Sequence, residues 1–73
     1  MFSFSFSFRI FSNEEDRMHI HVLKDTNEAK IWLEPEIKLE YNFGFKSQEI
    51  KKILIIVKDN EAEFKQKYRD YIG

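Results

Sequence analysis

An α+β fold, built as a two-layer sandwich of an antiparallel four-stranded meander followed by one C-terminal helix, follows from three features of the chain. Apolar and polar residues alternate at a period of two through most of the first half. The polar breaks between these runs are too short for the crossovers that parallel neighbours need. From Ser47 onward the apolar spacing changes to about 3.6 residues, the period of a helix.

The first strand is predicted over residues 2–11. Phe2, Phe4, Phe6 and Phe8 are separated by Ser3, Ser5 and Ser7, which puts rings on one face and hydroxyls on the other. Ile10 continues the ring face and Phe11 breaks onto the outer one. If this strand is an edge, its aromatic row invites pairing with another chain. Glu14, Glu15 and Asp16 then form a polar turn into a second strand over 18–24, where Met18, Ile20 and Val22 point one way and His19 and His21 the other. After a break at Lys24 to Glu28, a third strand over 29–34 sets Ala29, Ile31 and Leu33 against Lys30, Trp32 and Glu34.

Pro35 cannot donate to a ladder and marks the end of that strand. Ile37, Leu39 and Tyr41 alternate with Lys38 and Glu40 in a fourth strand over 37–41, and Gly44 marks the passage out of the sheet. Ser47 is the predicted N-cap of a helix over 47–71, with Glu49 in its first turn and Ile50, Ile53, Leu54 and Val57 as its apolar stripe. Phe64, Tyr68 and Tyr71 extend the stripe in phase. Asn60 followed by Glu63 has the form of a capping pair, so a break near Asp59 is the competing reading.

The 73 residues form a single domain on this reading, too short to bury a large core, and a partner subunit is the natural supplement. No cysteine is present, which excludes a disulfide framework or a thiolate zinc site. Twelve basic and 13 acidic residues are interspersed, so charge gives no argument for nucleic acid or an anionic membrane. No apolar run reaches the roughly 20 residues of a membrane span, and the N-terminus lacks signal-peptide character, so a cytoplasmic location is expected. Aromatic residues make up 16% of the chain, and large rings are therefore expected to fill its core.

The helix should cover the sheet face made by Phe4, Phe6, Phe8, Met18, Ile20, Val22, Ile31, Leu33, Ile37 and Leu39. Arg9, Phe11, His19, His21, Lys30, Trp32 and Glu34 remain on the other, solvent-facing side. If the strands pair in order, Arg9, His19, His21, Trp32 and Glu34 converge into a binding surface, since Trp, Phe and Arg carry much of the energy of protein contacts. The plain alternative is that Trp32 shields the sheet and the histidines fill surface. His19 and His21 are also the candidate metal ligands, with Glu34 or Asp25 as a third donor, but a chain with two histidines is short of ligands. The same pair are the candidate catalytic residues for acid–base chemistry. No nucleophile motif or phosphate-binding loop accompanies them, and no cofactor is implied.

Phe11-Ser12-Asn13-Glu14-Glu15, then Arg17-Met18-His19-Ile20-His21-Val22, then Ala29-Lys30-Ile31-Trp32-Leu33-Glu34-Pro35, then Gly44-Phe45 before the helix, form a pattern over residues 8–72. It resembles the bacterial domain of unknown function 4160 family. His19, His21, Trp32, Glu34 and Pro35 match the family's signature. Members often have proline where Met18 stands and a tryptophan near Tyr68. The resemblance brings no catalytic assignment. It implies a protein partner encoded beside the gene, of the domain of unknown function 2442 type, in an arrangement like a toxin–antitoxin pair; a second copy of the chain is the other candidate partner. The first functional expectation is thus a protein-interaction module, and the alternatives are a toxin-like ribonuclease using His19 and His21, with Arg9, Arg17 or Lys30 holding phosphate, and a His-x-His metal-binding protein.

Overall fold

Period-two runs joined by connections too short for parallel crossovers favour an up-and-down sheet, and that is what the chain forms. A computed structural model describes residues 6–10 and 17–72. The strands are β1 (Ser7–Arg9), β2 (His19–Lys24), β3 (Asn27–Trp32) and β4 (Lys38–Phe43), antiparallel throughout and ordered β1-β2-β3-β4. The Phe–Ser run before Phe6, and Phe11 with the acidic turn through Asp16, lie outside the described residues.

The β2–β3 hairpin is tighter than its polar composition predicts. Lys24 pairs with Asn27, so the loop is only Asp25 and Thr26, and Asp25 takes up the left-handed conformation at φ 56°. Asn27 and Glu28, read from sequence as turn, are therefore strand. Between β3 and β4 lies Pro35, after a cis Glu34–Pro35 bond. Lys30 pairs with Tyr41 but Ile31 with Leu39, so Glu40 is an extra residue that bulges β4.

Gly44, at φ 100°, closes the sheet where any Cβ would collide with the Asn27 side chain. Asn42 then grips Phe45, donating from Nδ2 to its carbonyl at 2.9 Å and accepting from its N–H at 3.0 Å.

Two helices follow, not one: α1 (Ser47–Asp59) and α2 (Glu61–Ile72). The cap of α1 is Lys46 rather than Ser47, and the Glu49 carboxylate reaches back to the Lys46 N–H at 2.9 Å. The break falls at Asn60, as the competing reading has it. Asn60 Nδ2 donates to the Ile56 carbonyl at 2.8 Å, and its N–H donates to Ile56 and Val57, so the residue terminates α1 from behind.

Ile53 and Val57 of α1 pack on Ile20, Val22, Ala29, Ile31, Leu33 and Phe45, all buried. Phe6, Phe8, Ile10, Met18, Ile37, Leu39 and Phe64 surround this core, as the alternation required. Rings join the layers: Phe6 meets Phe45 edge-on at 5.8 Å, and Phe8 lies 5.2 Å from Phe64.

Candidate functional site

Cross-strand partners share a face. His19 pairs with Trp32, and the row Arg9, His21, Lys30, Tyr41 runs across all four strands. Both imidazoles thus emerge opposite the residues that pack on α1, beside the indole, at 5.6 Å from His19 to Trp32 and 5.4 Å between the two imidazoles.

The face is not the solvent-facing one expected. His19 is 0% exposed, His21 3%, Trp32 6% and Lys30 8%. Alternation tells which side a residue takes but not what lies over it. Tyr68 of α2 stands edge-on to His19 at 5.9 Å, and Tyr41 covers His21 at 6.4 Å. Arg17 and Lys30 cover the indole, their cationic centres 4.0 and 4.6 Å from its ring.

Burial demands hydrogen bonds, and the polar atoms have them. His19 Nδ1 lies 2.6 Å from the Arg17 carbonyl, which can only accept; that nitrogen therefore carries the proton. His21 Nδ1 lies 3.1 Å from Glu28 Oε2, to which the Tyr41 hydroxyl donates at 2.7 Å. Both rings are thereby held in one tautomer. The Trp32 indole N–H donates to Glu40 Oε1 at 2.7 Å, a contact that the β4 bulge makes possible. No buried side-chain nitrogen or oxygen lacks a partner among the described residues.

Arg9 sits where predicted, exposed on β1 opposite His21. Glu34 belongs to the same region but does not face the imidazoles. Its Oε2 accepts the Met18 N–H at 3.0 Å and its carbonyl accepts Arg17 Nε at 2.8 Å, so it fixes the start of β2. Asp25 stands exposed at the hairpin tip. Among the described residues no three His, Asp or Glu side chains are grouped to hold a metal ion.

Three residues that sequence reasoning left out of the site complete it, Glu28, Glu40 and Tyr41, and they are joined by Arg17, which the sequence offered only as a phosphate-holding candidate of the ribonuclease alternative. The two-residue length of the hairpin was the available signal for Glu28, because it sets the register; Glu40 depends on a bulge that no local pattern announces. Arg17 is the most telling. Its guanidinium is exposed, stacked on Trp32 and tethered through Nε, and its terminal NH₂ groups have no partner among the described residues. That leaves a planar pair of donors, held in place, of the kind that receives a carboxylate.

The fold and site thus define a small α+β protein in which a four-stranded meander, backed by two helices, buries an imidazole–indole cluster on its second face. It belongs to the family described as Domain of unknown function (DUF4160), whose match spans residues 5–69. No curated protein and no solved structure matches the chain. No helix among the described residues is long and apolar enough to cross a membrane.

Proposed function

We propose that the chain is a cytoplasmic protein-interaction module, one half of a two-gene pair of toxin–antitoxin type, which meets its partner on the rim of the imidazole–indole face. The observation that carries this reading is Arg17. An exposed arginine usually loses side-chain freedom on binding, but this one is already ordered by Trp32 and the Glu34 carbonyl, so contact with a partner carboxylate loses little further entropy. Arg9 and Lys38 add cations on the same side, exposed beside the buried rings. His19, His21 and Trp32 support the rim from beneath instead of touching the partner themselves.

Co-expression with the product of the neighbouring gene, of the domain of unknown function 2442 type, tests this directly. Arg17→Ala should weaken the complex about tenfold or more, and Arg17→Lys, which keeps the charge but not the fork, should recover little of it. Undiminished co-purification of Arg17→Ala, with circular dichroism unchanged, would overturn the reading.

One observation favours a ribonuclease as the second reading: Glu28 holds His21 in a fixed tautomer, as an orienting carboxylate does for a general base. It predicts growth arrest on expression, relieved by His19→Ala. Harmless expression without RNA cleavage would remove it.

A further inference from the structure

The two edges of the sheet are unlike. β4 is blunted by its bulge at Glu40 and by Lys38 and Glu40 along it. Among the described residues β1 has no bulge, and Arg9 is its one charged side chain. Its outward groups follow from the hairpin: in a two-residue loop the closing pair, Lys24 and Asn27, is hydrogen-bonded, so every second residue back from Lys24 faces β3. The bond from Leu33 N–H to the Met18 carbonyl, 2.9 Å, has the same parity. Leu23 and His21 therefore face β1 and bond to Ser7 and Arg9. The N–H and C=O of Phe8 point away from the sheet.

Beside this edge lies a cavity of about 320 Å³, floored by Phe8, Ile10, Ile20 and Phe64 and walled by Glu63 and Lys67 of α2. We propose that the occupant of edge and cavity is a second copy of the chain, its β1 antiparallel to this one about a two-fold axis at Phe8. The segment Phe6-Ser7-Phe8-Arg9-Ile10 is close to a palindrome in chemistry. Antiparallel pairing centred on Phe8 bonds Phe8 to Phe8, sets Ser7 across from Arg9, and brings Phe6 of the second copy over Ile10 at the cavity.

A two-fold interface is self-complementary: what one copy gives, it also receives. Glu63 and Lys67 satisfy that condition. They are joined within α2 at 3.5 Å, each side chain 63% exposed, and an antiparallel copy sets Glu63 against Lys67 twice. The result is a continuous eight-stranded sheet, with twice the core that this short chain has alone.

Sedimentation equilibrium from micromolar to millimolar concentration tests the pairing, and charge reversal on α2 tests its geometry. Glu63→Lys and Lys67→Glu should each raise the dissociation constant about tenfold or more, while a mixture of the two variants, or the double reversal in one chain, restores wild-type association. Both residues are exposed, so their folding is not at risk. Register is read by cysteines in this cysteine-free chain. Ser7→Cys mixed with Arg9→Cys should form a disulfide on oxidation, and neither variant should do so alone. A wild-type chain that stays monomeric, self-association indifferent to both charge reversals, or cross-linking of Ser7→Cys with itself would overturn the proposal.

Discussion

The two faces of the sheet both bury side chains, and they are held by different forces. On one side Ile20, Val22, Ala29 and Ile31 lie under α1 with no polar atom among their side chains. On the other, His19, His21, Lys30 and Trp32 are nearly as inaccessible but are held by hydrogen bonds, ring contacts and stacked cations. Apolar packing is non-directional, and its loss scales with the volume removed. The polar face is directional: a substitution there matters by the partners it leaves behind. The difference teaches how such a short chain closes a sheet on both sides, with α1 packed along one and Tyr68 of α2 reaching over the other.

The sharpest contrast comes from one truncation on each face. Ile53→Ala, under α1, should destabilise by about 2–5 kcal/mol in a denaturant titration, whereas Ile53→Val should cost about 0.5–1.5 kcal/mol, the graded response of a packed core. Glu28→Ala should cost about 1–3 kcal/mol although Glu28 is itself a third exposed, because it removes the carboxylate that accepts from both His21 Nδ1 and the Tyr41 hydroxyl. Glu28→Gln, which keeps an acceptor oxygen, should recover most of that loss. If Glu28→Ala and Glu28→Gln proved equally harmful, charge rather than hydrogen bonding would be holding the second face.

Period and alternation gave the strands their order and faces, because the side-chain period of a strand does not depend on what packs against it. Register depends on loop length, and there the reading failed by small amounts: counting Asn27 and Glu28 as turn hid the carboxylate that holds His21. The helix break near Asp59 was legible as the competing reading, and the continuous stripe argued against it. Phe64, Tyr68 and Tyr71 continue the α1 stripe in phase, and only the Asn60 side chain, turned back onto the Ile56 carbonyl, ends the first helix. Convergence of His19, His21 and Trp32 was legible as cross-strand pairing. Their burial was not, since Tyr68 arrives from more than thirty positions away in sequence.

The smallest effect expected lies at the junction of the two halves, where Glu49 joins helix to hairpin. Its carboxylate accepts the Lys46 N–H and lies 3.3 Å from Lys24 Nζ. The backbone N–H of Lys46 holds it below the ordinary carboxylate value; burial opposes that bond less strongly than the bond acts, and Lys24 adds to the lowering. A carboxyl whose pKa is lower folded than unfolded binds more protons in the unfolded chain, so it stabilises the fold above the ordinary carboxylate range and loses that contribution as pH falls through the folded value. Thermal melts from neutral pH into the acid range should therefore show Glu49→Gln converging on the wild type at the acid end and falling slightly behind it near neutrality, by a margin that salt reduces. A margin that persisted unchanged at the acid end would place the contribution in packing and not in charge, and would remove Glu49 as the electrostatic link between the hairpin and α1.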